Sequence, residues 1–137
     1  MREILFRGKL LKNDKWCFGN LDVKVNGVCI ITPDDTPLGV YGQVDPETVG
    51  QYTGLTDKNG TKIFEGDFCK DSLGHVFVVE WDAKNARFIG YAKTNGERYI
   101  IYIGREPKVE IIGNIHDNPD ISKKLREPVI QVPGVSG

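Results

Sequence analysis

Residues 75–103, HVFVVEWDAKNARFIGYAKTNGERYIIYI, decide the fold class. Three runs rich in β-branched and aromatic residues, 75–82, 86–92 and 98–103, are separated by Ala83-Lys84-Asn85 and by Thr94-Asn95-Gly96-Glu97. Each run has strand length, and Asn-Gly between apolar runs is the strongest short hairpin signal. The reading is a set of strands belonging to a small antiparallel barrel or sandwich. The same grammar continues on both sides. Ile63-Phe64-Glu65-Gly66-Asp67-Phe68-Cys69-Lys70 is an apolar run interrupted by Gly66-Asp67, Ser72-Leu73-Gly74 is a tight turn, and 109–115 supplies a last strand.

Further toward the N-terminus, 56–62 is a polar turn with Asn59-Gly60 at its tip. Residues 15–31 form a hairpin whose two-residue turn is Asn26-Gly27, with Trp16 and Phe18 on one side of the outgoing strand. A short strand covers 3–7. Residues 32–44 hold two prolines and two glycines and predict a loop. Asp45-Pro46-Glu47-Thr48 is a cap followed by proline at the first helical position, and Gly50 stops that helix within a turn. Asn118-Pro119-Asp120 repeats the cap, predicting two helical turns over 121–127; the tail 129–137 is either frayed or an arm that adds to a sheet. The expected architecture is all-β: an N-terminal β-hairpin unit with a Pro/Gly loop at 1–50, a small antiparallel barrel at 51–116, and a short helix with an extended tail at 117–137.

Composition narrows the function classes. The 137 residues carry 18 Lys+Arg and 19 Asp+Glu, a net charge of −1, which excludes a strongly basic coat for duplex phosphates and a strongly acidic solvating chain. Hydrophobic residues are 39 % and charged residues 27 %, as in an ordinary globular domain. No apolar run approaches the ~20 residues that span a bilayer. The N-terminus lacks the apolar centre of a signal peptide, so the expected location is the cytoplasm, with no membrane partner. Cys17, Cys29 and Cys69 are odd in number and lack CxxC spacing, so they read as small buried hydrophobes, and no cofactor or metal is implied.

Four constellations invite chemistry. Glu65 and Asp67 flank Gly66 and, with His75, could make an acid/base or metal site; the plainer reading is a turn whose carboxylates accept backbone N–H groups. Asp57-Lys58-Asn59-Gly60 opens like a calcium loop, but Gly66 stands where the last ligand is required. His75 and His116, the latter beside Asp117, have no nucleophile at a recognisable spacing. Tyr91, Tyr99 and Tyr102, with Lys93, Arg98 and Arg105, could make a stacking surface for single-stranded nucleic acid, although aromatics at strand spacing commonly form core or cross-strand pairs. Phosphate-cradling glycine motifs are absent from the sequence.

Three stretches in this order, Arg2-Glu3-Ile4-Leu5-Phe6-Arg7-Gly8-Lys9, the block 44–67 (VDPETVGQYTGLTDKNGTKIFEGD) and 109–119 (VEIIGNIHDNP), resemble the YopX-like family of phage and prophage proteins. The match spans about 1–121, with Phe68-Cys69 and His116-Asp117 departing mildly from its pattern. The resemblance implies an all-β, self-associating phage or prophage protein, and it carries over no catalytic residue. Its recurring residues Tyr52, Gly54, Gly60, Glu65, Gly66, Asp67, Gly113 and Asn114 read as structural. The segment 64–92 is also similar to the opening of an SH3-like barrel, a fold analogy only. The resulting expectation is a non-enzymatic accessory protein that forms a homo-oligomer and binds a phage or host protein. Single-stranded nucleic-acid binding is the first alternative and a hydrolase or metal site near Glu65, Asp67 and His75 the second.

Overall fold

The computed structural model describes residues 2–33, 42–94, 97–104 and 108–121, without the side chains of residues 94 and 99. It is all-β, with two antiparallel sheets and one 3-10 turn. Contacts divide the chain into two units: Met1–Leu55 with Lys62–Phe64, and Thr56–Thr61 with Glu65–Gly137. The expected arm at 129–137 and all but the first residue of the expected helix at 121–127 lie outside the described residues; residues 119–121 are helical.

The first unit is a six-stranded sheet in the order β4-β3-β2-β1-β5-β6. Its strands are β1 Phe6–Lys9, β2 Trp16–Val23, β3 Cys29–Thr32, β4 Gly42–Val44, β5 Gly50–Thr56 and β6 Lys62–Phe64. The sheet curls until β4 returns to the end of β1. Leu10 and Val44 form a bridge, Leu11 N–H donates to the Gln43 carbonyl (3.0 Å), and Asp45 N–H donates to that of Lys9 (2.9 Å). The curl encloses Cys29, Ile31 and Val44, packed by Phe6, Leu10, Cys17, Leu21 and Val49. Strand β4 corrects the expected loop over 32–44. Val44 is fully buried opposite Cys29, so burial of its side chain outweighs the neighbouring Gly/Pro composition. The Asp45 cap is as expected: its carboxylate accepts from Glu47 N–H (3.1 Å), and the 3-10 turn covers Pro46–Thr48.

The second unit is a five-stranded sheet in the order β10-β9-β8-β7-β11. These are β7 Asp67–Lys70, β8 Val76–Asp82, β9 Arg87–Thr94, β10 Glu97–Ile101 and β11 Glu110–Asn114. Strands β8, β9 and β10 fall on the three expected strand runs and form a meander, with Asp82 opposite Arg87 and Thr94 opposite Glu97. Phe68, Cys69, Phe77, Val79 and Ile89 are fully buried. β11 carries a bulge between Ile111 and Gly113, and Ile112 at the bulge is exposed.

Three loops share one design. In 24–28, 57–61 and 71–75 the first N–H donates to the fifth carbonyl (2.8, 2.8 and 3.0 Å), and the fourth N–H donates to the first carbonyl (2.9, 3.0 and 3.1 Å). The fourth residue is Gly27, Gly60 or Gly74, each with φ between 81° and 89°. This is a three-residue hairpin loop, a type I turn closed by a left-handed glycine. It corrects the two-residue turn expected at Asn26-Gly27. Gly27 follows the turn rather than sitting inside it, and the strands stop at Val23 and resume at Cys29.

Two glycines fill a different role, allowing strands of the curled sheet to approach closely. A Cβ on Gly19 would lie 2.1 Å from the Thr32 carbonyl oxygen, and one on Gly8 would lie 2.9 Å from Val44 Cγ2. At Gly19 the obstacle is a carbonyl fixed in the backbone and deeply overlapped, whereas at Gly8 the shift required of the buried Val44 and Ile31 side chains is smaller. Gly19→Ala is therefore expected to destabilise the protein by about 1–3 kcal/mol and Gly8→Ala by less. Urea unfolding followed by far-UV circular dichroism checks the order; equal or reversed losses would refute the packing argument.

Candidate functional site

The predicted aromatic surface falls on β9, β10 and the residue after them. Strand pairing places Tyr91 opposite both Val78 and Ile100, and Lys93 opposite Arg98. The Arg98 guanidinium lies 3.5 Å from the Tyr91 ring centroid and also pairs with the Glu80 carboxylate. Beside it, Arg87 sits 5.2 Å from the Tyr102 ring centroid while its Nε donates to Asp82 (3.0 Å). The Asn85 amide and the Arg87 guanidinium hold the Asp82 carboxyl below its usual range against its desolvation, and Asp82 in turn raises Arg87. Tyr91, Lys93, Arg98 and Tyr102 thus share one region, but both guanidinium groups there are already matched by carboxylates. A phosphate would have to displace them. Arg105 and the side chain of Tyr99 lie outside what is described.

Glu65, Asp67 and His75 have separate structural settings. Glu65 and Gly66 form the turn between β6 and β7, with Gly66 at φ 92°. Gly66 N–H donates to the Val79 carbonyl (2.8 Å), and its own carbonyl accepts from Ile115 (2.9 Å). Asp67 is only 2 % exposed and stands opposite Asn114 in the β7–β11 ladder. His75 closes a turn with Asp71, its Nδ1 2.9 Å from Asp71 Oδ2. Among the described residues no three His, Cys, Asp or Glu side chains gather as a metal site would require. The other recurring residues also shape backbone. Asn114 Oδ1 accepts from the N–H groups of His116 (3.0 Å) and Asp117 (2.9 Å). A Cβ on Gly113 would meet Asn118 Oδ1 at 2.5 Å. Gly54 takes φ 90° within β5.

Asp57 and Asp71 occupy the first position of two of the shared loops. Asp57 Oδ1 accepts from Asn59 N–H and Thr61 N–H (2.9 Å each), and Oδ2 accepts from Ile111 N–H (3.2 Å). Lys58 N–H also donates to the Val109 carbonyl (2.8 Å), so this hairpin is tied to the edge strand β11. Asp71 Oδ1 accepts from Leu73 (3.0 Å) and His75 (2.8 Å). Burial alone would raise both carboxyls. Backbone N–H donors, with Lys58 beside Asp57 and His75 beside Asp71, reverse that and hold both below the usual range.

A second aromatic and cationic group lies in the first unit, at residues the sequence reading did not single out as a site. Pairing sets Arg7 opposite Phe18 and Lys9 opposite Trp16. The Arg7 guanidinium lies between two rings, 4.6 Å from the Trp16 centroid and 4.9 Å from that of Phe64. Phe64 meets Phe18 edge-on at 5.5 Å and Tyr52 at 5.7 Å. Lys9 is over Trp16 (5.5 Å) and Lys62 over Tyr52 (5.7 Å). The signal was period two: Arg7 and Lys9, Trp16 and Phe18, Lys62 and Phe64 each occupy alternate positions of a strand. Only strand order brings the pairs together.

Comparison with known proteins gives a family match. The model of the YopX family, described as YopX protein, matches residues 6–121. No curated protein matches the chain significantly. Among solved structures, protein EF1440 from Enterococcus faecalis is similar to 88 % of this chain and 99 % of its own, at 23 % identity and a TM-score of 0.44. Among the described residues no helix is long and apolar enough to cross a membrane.

The turn carboxylates set an acid limb for stability. Each has a lowered carboxyl in the folded state, so its contribution is complete above the unfolded value, about 3.9, and fades as pH falls through the lower folded value. Asp57→Asn is expected to cost about 1–3 kcal/mol at pH 7 through weakened acceptance from three N–H groups. The deficit should shrink as pH falls below the unfolded value, where the unfolded chain takes up a proton that the folded carboxylate resists. Urea titrations from pH 3 to pH 7 check this, and a deficit independent of pH would show that the charge is immaterial.

Proposed function

Because the chain belongs to the YopX family, we propose that it is a non-enzymatic accessory protein of phage or prophage origin, working in the cytoplasm by self-assembly and by binding a phage or host protein. The observation that carries this reading is the contrast between the two edges of the five-stranded sheet. β11 is capped: Ile111 N–H is taken by the Asp57 carboxylate and the Val109 carbonyl by Lys58 N–H. β10 has β9 as its single strand partner among the described residues. It presents Ile100 at 40 % exposure, with Tyr102 at 45 % just beyond it. An edge strand of this kind leaves a row of backbone donors and acceptors for another strand. The carboxylates of two shared loops support the non-enzymatic part. Against their burial, Asp57 is held ionised by backbone donors and Asp71 by the His75 side chain and backbone donors, which suits them to anchoring and not to giving a proton.

Size-exclusion chromatography with light scattering tests the assembly. The full chain is expected to give a defined multiple of the single-chain mass, and Ile100→Glu to lower it with the circular dichroism spectrum intact. A single-chain mass at tens of micromolar protein would refute self-assembly. Removal of 128–137, outside the described residues, is expected to lower the mass if the tail acts as an arm; an unchanged mass would leave β10 as the contact.

A further inference from the structure

We propose that Asn26 is a site of spontaneous covalent modification, deamidating through the backbone nitrogen of Gly27, while Asn59, which precedes Gly60 in a loop of the same design, is protected by the fold. Asparagine before glycine is the step most prone to this reaction, because glycine has no side chain to shield its nitrogen or restrict its backbone. The Gly27 nitrogen bonds to Asn26 Cγ, the Cγ–Nδ2 bond breaks, and the Gly27 proton leaves with Nδ2 as ammonia. Water then opens the resulting succinimide on either side, giving aspartate or isoaspartate. Asn26 and Gly27 are exposed, and so are Asn59 and Gly60. Asn95-Gly96, the remaining step of this kind, lies outside the described residues. Each described glycine N–H donates back to the first carbonyl of its loop, Gly27 to Lys24 (2.9 Å) and Gly60 to Asp57 (3.0 Å). That bond must open before the nitrogen can turn onto Cγ, so whatever else fastens the loop sets the rate.

The fastenings differ. Loop 57–61 is closed by the Asp57 carboxylate, which accepts from Asn59 N–H and Thr61 N–H (2.9 Å each) and from Ile111 N–H (3.2 Å). Lys58 N–H, donating to the Val109 carbonyl (2.8 Å), ties the same loop to the residue before β11. Opening it would therefore break bonds on both sides of Asn59 and strip donors from a buried carboxylate. In loop 24–28 the first position is Lys24, which carries no carboxylate to gather those N–H groups. The fifth N–H, from Val28, goes instead to Asn26 Oδ1 (3.1 Å), which keeps the reactive amide against the Gly27 backbone. Val25 at the tip is fully exposed. The modification would also reach the sheet. Isoaspartate lengthens the main chain by a methylene, which disturbs the three-residue loop and the Lys24–Val28 pairing that set Val23 opposite Cys29.

The test incubates the full chain in warm, mildly alkaline buffer and follows each asparagine by peptide mapping and mass spectrometry, with isoaspartate assigned by fragmentation. In the folded chain Asn26 is expected to convert about tenfold faster than Asn59. Unfolding in urea is expected to bring the two rates together, because the dipeptides are identical. Asp57→Asn, with its fold checked by circular dichroism, should raise the Asn59 rate and leave that of Asn26 unchanged. Equal rates in the folded chain, a faster Asn59, or a ratio that persists in urea would each overturn the proposal. So would an Asn59 rate that the folded Asp57→Asn variant leaves unaltered.

Discussion

Short antiparallel strands gain from their ladders only when register is set, and here a three-residue hairpin loop sets it repeatedly. A type I turn followed by left-handed glycine lets the first and fifth residues pair, as between Lys24 and Val28, Asp57 and Thr61, and Asp71 and His75. A side chain at the glycine position would strain the backbone and disturb the pairing it closes. Because side chains alternate between faces, a slip of one residue would turn Val79 or Ile31 out of its buried position. The burial of both sheets thus rests on a local backbone constraint as much as on apolar area.

The same loops give two acidic residues a structural role. A carboxylate at the first loop position can accept from the N–H groups two and four residues later, as Asp57 and Asp71 both do. Asp57 adds a third donor from β11, so one side chain both closes a hairpin and fastens an edge strand of the same unit. Such an environment stabilises the ionised form, whereas a general acid at neutral pH needs the opposite balance. The resemblance between 57–60 and a metal loop is therefore superficial in a physical sense. Its oxygens face backbone donors.

Much of the fold was legible because hairpins are local. The β8–β9–β10 meander and the Asp45 cap each follow from a few adjacent residues. Strand β4 was not legible, since three residues beside a Gly/Pro stretch carry no periodicity and become a strand only when Val44 has a cavity to fill. Asn26-Gly27 located its turn but not the turn's length, because asparagine-glycine serves both two- and three-residue loops. The aromatic group around Arg7 was hidden for another reason. Its members come from β1, β2, β5 and β6, and the order in which those strands pair is a property of the folded sheet.

Arg7 shows how burial and charge are reconciled on that face. Removing a guanidinium from water is costly unless its environment returns the lost interaction, and two ring faces at under 5 Å return part of it. The rings in turn are constrained: Phe64 cannot move without disturbing Arg7, Phe18 and Tyr52 together. A purely apolar cluster would pack as well but leave no field at the surface. A purely charged one would stay hydrated and mobile. Rings packed around a buried cation therefore join β1, β2, β5 and β6 through the neighbours of one side chain, Arg7.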